Sequence, residues 1–339
     1  MFTHFTKNLL LSLALLAACQ ASEKSRQDKM LIAFGSCAHS FEPMPILNQV
    51  VKHHPDLWIW LGDIMYGDSH DMAVLKKKYD LQKNKPEYQA LLKATPVIGV
   101  YDDHDYGIND GGKYYSKKDS SKLLLLDFLD APADDIRRSR PGAYVDYDYQ
   151  VGDRTVKVIL LDTRYFRDTL YADTTGRQRY LPNPEGDVLG EAQWQWLEET
   201  LRSNQADFII VGSSIQLIPD EQGYEKWANF PAARQRFFKL LTETKPAPVL
   251  LISGDRHIAE LSKIDLPGLG FPLYEFTSSG LTHTWGRPGD EPNRYRVGNL
   301  IISKNFGLVE VDFSRGKPVV RLQVRNEADS LLQQNEIVY

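Results

Sequence analysis

The side chains best suited to holding metal ions fall in short polar clusters. They are Cys37 in Gly35-Ser36-Cys37, Asp63 and Tyr66 in Gly62-Asp63-Ile64-Met65-Tyr66, Asp103 in Asp102-Asp103-His104-Asp105, and Asp255 and His257 in Gly254-Asp255-Arg256-His257. Together they offer a thiol, carboxylates, a phenol and an imidazole from segments far apart in the chain. Hydrolysis of a phosphate ester at neutral pH calls for such groups, because a metal pair lowers the pKa of bound water, clamps the substrate oxygens and offsets transition-state charge. Thiolate and phenolate favour a trivalent, Lewis-acidic iron, whereas an all-oxygen neighbour suits calcium. Tyr66 reaches the ion held by Asp63 if the intervening loop opens into a helical turn. Asp255 and His257, two apart, would share one side of an extended segment.

Arg164 and Arg256 are candidates for gripping phosphate oxygens with a guanidinium fork, although Arg164 equally suits a structural ion pair. Asn109, in Tyr106-Gly107-Ile108-Asn109-Asp110, fits either a contact to the second metal or substrate or a turn cap. Gln216, beyond Ser213-Ser214, is a further candidate substrate contact. Taken singly, each piece has an ordinary reading. A Gly-Asp after a strand is a turn, a lone Cys is a small buried hydrophobe, a lone Tyr is packing, and Asp-Arg-His is a surface ion-pair network. Their joint order is what points to metal chemistry.

The elements that must carry these clusters are apolar runs. Met30 to Gly35, Leu57 to Leu61 and Pro96 to Val100 each end at one of them, and Val156 to Leu161, Phe208 to Val211 and Val249 to Ile252 repeat the arrangement. Continuous apolar runs imply strands buried on both faces. Helical spacing around Ile46 and Val50, and over 120–129, 189–201 and 232–241, alternates with them; Trp194 and Trp196 read as helix packing. The loop 168–186 either borders the site or is a surface excursion. Strand-like runs at Leu273 to Thr277, Leu308 to Phe313 and Val319 to Val324 could extend a second sheet against the first. The pattern favours a layered α/β sandwich over one doubly wound sheet, with polar clusters at the carboxyl ends of strands.

These motifs, with Leu161-Asp162-Thr163-Arg164 and Leu189-Gly190-Glu191-Ala192-Gln193-Trp194-Gln195-Trp196-Leu197, resemble the PhoD-like alkaline phosphatase family of the calcineurin-like metallophosphoesterase superfamily, from Met30 to Gly280. The resemblance implies a four-layer αββα sandwich of two mixed sheets flanked by helices. It implies Fe(III) on Cys37, Asp63, Tyr66 and His257, with Asp255 as a further candidate, and Asp63 bridging to a second site that would take Ca2+. The superfamily's Gly-Asn-His-Asp motif puts its metal-binding Asn on Asp103 and its substrate-facing His on His104. The activity implied is hydrolysis of phosphate monoesters, diesters or both by a metal-activated hydroxide. Arg256 would stabilise the pentavalent charge, His104 would protonate the leaving alkoxide, and Asp105 could orient His104. The rivals are a phospholipase D-like phosphodiesterase acting on membrane lipid or cell-wall phosphodiesters, and a non-catalytic metal-binding lipoprotein.

The chain has 339 residues, 42% of them apolar, enough for a sizeable core without staples. Its net charge of −5 argues against a broad basic surface for nucleic acid. Lys7 followed by the apolar stretch from Leu9 to Leu16 reads as a signal peptide over 1–18, too short to span a bilayer. Leu16-Ala17-Ala18-Cys19 resembles a bacterial lipobox, with Cys19 lipidated and anchoring the chain to a membrane, the outer one if there is one. The alternative is an ordinary signal peptide with an incidental Cys. Residues 19–29 then read as a flexible tether and 30–339 as one catalytic domain. If Cys19 carries lipid, Cys37 is left without a disulfide partner, and burial or metal binding must account for it.

Overall fold

The computed structural model describes residues 27–176, 179–285 and 291–339. The stretch that reads as a signal peptide, Cys19 and the expected tether up to residue 26 lie outside the described residues.

The first half of the chain lays down β1 (Lys29–Gly35), α1 (Ile46–Lys52), β2 (Leu57–Leu61), α2 (Met72–Lys83), α3 (Pro86–Ala94), β3 (Val97–Val100), a single turn α4 (Asp103–Tyr106) and α5 (Lys118–Phe128). β1, β2 and β3 pair in parallel. The second half begins with β4 (Val145–Val151) and β5 (Arg154–Leu160), then a short hairpin of β6 (Tyr171–Ala172) and β7 (Tyr180–Leu181). It continues with α6 (Gly190–Arg202), β8 (Phe208–Ser213), α7 (Pro231–Thr244), β9 (Val249–Ser253), β10 (Ala259–Ile264), β11 (Leu273–Ser278), β12 (Arg296–Ile301), β13 (Phe306–Asp312), β14 (Val319–Arg325) and β15 (Leu331–Val338).

The strands form two mixed sheets, of order β15-β14-β13-β1-β2-β3 and β12-β10-β11-β9-β8-β5-β4. Alternating residues of each sheet meet in a central apolar layer containing Phe34, Ile59, Leu61, Leu160, Ile210, Ile252 and Phe276. The opposite face of the first sheet packs Trp58 and Trp60 against α1 to α5, and that of the second packs Ile209, Val211 and Leu251 against α6 and α7. The result is the helix, sheet, sheet, helix sandwich anticipated above. Each strand of type β2 is apolar throughout because both of its faces are covered. Truncating one such large core side chain to Ala would cost about 3 kcal/mol.

The chain departs from the sequence expectation at its carboxyl end. β13 and β14 join the first sheet, where β13 runs antiparallel to β1, and only β10, β11 and β12 enlarge the second. The first sheet is therefore sealed by strands that come last in the sequence. Trp194 is buried under α6 as anticipated, its indole N–H donating to Asp187.

Two glycines set how closely strand ends approach. A Cβ on Gly62, at φ +84, would lie 2.2 Å from the Cβ of Asp102, so only glycine lets the β2 end lie against the β3 end. A Cβ on Gly254 would meet Leu61 O at 2.6 Å and Ser36 Oγ at 2.7 Å, which binds the β9 end of the second sheet to the first. The polar clusters meet across that seam.

Candidate metal centre

Cys37, Asp63, Asp255 and His257 all have left-handed backbones, with φ of 60, 47, 65 and 56. Such conformations are costly for residues with a Cβ and collect at functional sites. They also correct a local expectation. Residues 255–257 are a double kink rather than an extended segment, and Tyr66 returns to Asp63 through a bend rather than a helical turn. Both devices still bring the side chains together.

Ligand atoms of Cys37, Asp63 and His257 lie within 4.8 Å of one another, and so do those of Asp63, Asp103 and His104. Asp63 belongs to both groups, the position of a bridging carboxylate. Tyr66 joins the first: its hydroxyl lies 3.3 Å from Asp63 Oδ2 and 3.0 Å from His257 Nε2. Asp255 is placed differently from the first-site candidate of the sequence reading. Its carboxylate groups with Asp102 and Asp103, while its backbone carbonyl faces Cys37 Sγ at 3.6 Å. Ser279, at the end of β11, was not foreseen; its Oγ lies 3.1 Å from Cys37 Sγ and accepts from His257 N–H at 2.8 Å.

The residues fit metal ions. Asp63 Oδ1 and Asp103 Oδ1 are buried without a hydrogen-bond partner, a costly state unless a cation serves them. Burial, with the Cys37 thiol beside it, pushes Asp63 well above the usual carboxylate range, and burial lifts Asp255 to about 7 despite Arg256. The cluster is short of positive charge. Burial and the neighbouring His283 push His257 down to about 3, which leaves the neutral imidazole a metal needs. Burial likewise holds the Cys37 thiol up at about 12, so its thiolate form calls for a cation.

Asp103 behaves differently: against the upward push of burial, Arg164 and His104 hold it at about 2. His104 in turn loses to burial but gains more from Asp63 and Asp68, ending near 10. Its Nδ1 lies 2.8 Å from Asp68 Oδ1. Asp68, not Asp105, is therefore the carboxylate that holds the His104 ring. Asp105 is buried beneath and accepts from the backbone N–H groups of Asp102, Asp63 and Ile64, fixing the strand ends.

Around this centre is a cleft of about 80 Å³ lined by Asp63, Asp103, His104, Asn109, Asp110, Arg179, Tyr224, Glu225, Asp255, Arg256, His257 and Trp285. Arg256 enters it with its guanidinium 4.4 Å from the Tyr224 ring centroid, and Nη2 donates to Glu291 at 2.7 Å. Its buried Nε has no partner. Arg164 does not reach the cleft. It is wholly buried between Asp102, at 2.6 Å from Nε, and Glu225, at 2.6 Å from Nη1, so its charge is spent as a cross-link behind the metal ligands. Gln216 is also elsewhere, donating in the core to Glu260 and Thr277. Asn109 lines the cleft but donates to its neighbour Asp110.

Several cleft residues escaped the sequence reading. Arg179 arrives on β6-β7, the hairpin of the 168–186 loop, and donates to Asp110 Oδ2 at 2.7 Å with its side chain 47% exposed. Glu225 follows β8 at a distance, and Trp285 donates its indole N–H to Arg256 O at 2.7 Å. A larger cavity of about 530 Å³ between β4 and α6 holds Asp146 and Asp148, both paired with Lys157, and no histidine or thiol. The donor groups that fit metal ions gather at the smaller cleft.

The description PhoD-like phosphatase covers the model that matches residues 32–323. Alkaline phosphatase D of Bacillus subtilis (strain 168) is 23% identical over 286 residues, covering 70% of this chain and 47% of its own length; the present chain thus spans about half of that relative. The solved structure of PhoD superposes with a TM-score of 0.71 at 16% identity, over 92% of this chain and 70% of its own. A dimetal phosphatase from Danio rerio superposes with a TM-score of 0.54 at 12% identity, over 91% of this chain and 99% of its own. At such identities the superpositions speak for the fold.

Proposed function

The chain belongs to the PhoD-like phosphatase family, and from that premise we propose that it is a metal-dependent hydrolase of phosphate monoesters, diesters or both. The observation that carries this is Asp63, shared by two groups of ligand atoms and holding an unpartnered buried oxygen. Cys37, Tyr66 and His257 would hold one ion with it, and Asp103 and Asp255 the other. When bound, the ions would lower the pKa of water and offset charge on the phosphoryl oxygens.

The chain's own groups do the rest. Arg256, held by Glu291 and stacked on Tyr224, is placed to receive a phosphoryl oxygen at its free Nε. Arg179 is a second cation at the cleft, in the role the sequence reading gave Arg164. His104, its Nδ1 held by Asp68, presents its other nitrogen as proton donor to the leaving alkoxide. The thiol and phenol donors support Fe(III) at the first site and the all-carboxylate set supports Ca2+ at the second. The lipobox-like Leu16-Ala17-Ala18-Cys19 supports a lipoprotein of the bacterial envelope.

The test is metal analysis of the purified full chain followed by a panel of phosphomonoesters, simple diesters and phospholipids. Iron and calcium should co-purify, and Asp63→Asn should lower hydrolysis by at least about a thousandfold. Near-normal turnover in an Asp63→Asn variant given the same supply of metals would overturn the assignment, and cleavage of phospholipids alone would favour the phospholipase D-like reading.

A further inference from the structure

Next to the metal cleft is a second cavity of about 370 Å³, walled by Ile108, Tyr114, Tyr115, Leu170 and Tyr180. Asp110 lines both cavities and is the partition between them. Its backbone N–H donates to Asp103 Oδ2 at 2.6 Å, and its carboxylate receives Arg179 Nη2 at 2.7 Å and the Tyr180 hydroxyl. Consecutive residues of the hairpin thus serve the two sides: Arg179 lines the candidate metal cleft, and Tyr180, the first residue of β7, lines the second cavity.

We propose that this cavity is the leaving-group pocket of the enzyme and takes a flat aromatic ring carried by the alcohol of the phosphoester. The inference rests on the phosphoesterase reading above. A phosphoryl group held among the metal ligands, Arg256 and Arg179 must direct its ester chain out of a cleft too small to contain it, and the apolar space across Asp110 adjoins it.

The chemistry of the walls selects the ring. Tyrosine rings offer stacking and edge contacts to another aromatic ring, and an apolar cavity of about 150 Å³ is already enough for benzene. Tyr114 is held out at the rim with 74% of its surface exposed and the Lys113 ammonium 5.2 Å from its ring centroid. Among the described residues, a second anionic group would find no free Arg or Lys here, and His70, the other basic residue of the wall, lies against the Tyr115 ring at 5.1 Å. Arg167, at the cavity wall, is committed to Glu225 at 2.9 Å, Asp168 O at 2.7 Å and Gly111 O at 2.7 Å, and Lys113 is paired with Asp168. The floor is rigid as well, since a Cβ on Gly112 would meet Arg167 O at 2.6 Å.

The experiment compares 2-phenylethyl phosphate with ethyl phosphate, each as monoester and as methyl diester, using the metal-loaded full chain. Both leaving groups are primary alkanols, so the ring is the main difference. The pocket predicts a kcat/KM about tenfold higher for the phenylethyl ester, expressed mainly in KM. Tyr114→Ala and Leu170→Ala should bring the ratio towards one while ethyl ester turnover is unchanged; the exposed position of Tyr114 keeps that variant folded. Equal kcat/KM for the two esters in the unmodified protein, or a ratio that neither variant moves, would overturn the pocket alone. Failure to hydrolyse any of the four esters would overturn the phosphoesterase reading and the pocket with it.

Discussion

His104 and Asp68 illustrate how a single side-chain pair defines a task. An imidazole at a metal cleft can bind metal, bind phosphate or donate a proton, and the carboxylate on Nδ1 favours the protonated ring that can donate. Asp68 has 44% of its side chain exposed and a left-handed backbone, φ 47, that Asn tolerates, so Asp68→Asn spares the fold. Asp68→Asn should lower kcat about tenfold for an alkyl phosphate, whose leaving alkoxide needs a proton, and hardly at all for a p-nitrophenyl ester, whose phenolate does not. Equal losses on both substrates would show that Asp68 acts on binding or folding rather than through the His104 proton. The same reasoning separates the two arginines that looked alike in the sequence. Arg164 is enclosed by carboxylates, with Nε and Nη2 on Asp102 and Nη1 on Glu225, whereas Arg256 lines the cleft.

At the scale of elements, the loop after β8 is pinned onto the second sheet by polar side chains of β10 and β11. Glu275 on β11 accepts the backbone N–H groups of Leu217 and Ile218, and Gln216 donates to Glu260 and Thr277. Burial pushes Glu275 up to about 7, from 4.5, although those two N–H groups pull the other way. Since the folded pKa is raised, the neutral acid is favoured by folding: its stabilising contribution is complete below the unfolded value and is lost as pH rises through 7. Glu275→Gln keeps an acceptor for the loop without a titrating charge. In metal-free buffer, its unfolding free energy relative to the unmodified protein should therefore rise by about 3 kcal/mol from pH 4 to pH 8. Urea unfolding at both pH values checks this, and parallel stability curves for the two proteins would refute it. Elements such as β2 and β9 were legible in the sequence because strands covered on both faces must be apolar without interruption, and the turns at their ends then stand out as polar. Strand β15 and helix α2 were not, since each mixes apolar and polar residues about equally and owes its place to the neighbour it pairs or packs with. Arg179, Glu225 and Trp285 were illegible for a related reason. Each sits in a loop whose path is set by contacts with distant segments, and no local pattern marks it.

For the molecule as a whole, the metal centre doubles as a clasp between the two sheets. Cys37, Asp63 and Asp103 follow β1, β2 and β3 of the first sheet, while Asp255 and His257 follow β9 of the second. The left-handed candidate ligands and the buried oxygens of Asp63 and Asp103 without hydrogen-bond partners are unfavourable by themselves and would be compensated by bound ions. Each ion that binds only the folded state at about a hundred times its Kd adds about 2.7 kcal/mol. For a chain of this length, each corresponds to a rise in Tm of about 4 °C, or about 8 °C for two. Chelation should therefore lower the Tm of the unmodified protein by that order. Asp63→Asn should melt at the same temperature with and without chelator, because the shared ligand is gone. It should also melt no lower than the unmodified protein in chelator, because the substitution removes a buried carboxylate that has lost its cation. Calorimetry of both proteins with and without chelator distinguishes this from a purely catalytic site. A Tm indifferent to chelation in the unmodified protein, with metal loss verified, would mean that the sheets are held by their apolar layer alone. The left-handed turns would then be strain that the ions do not relieve.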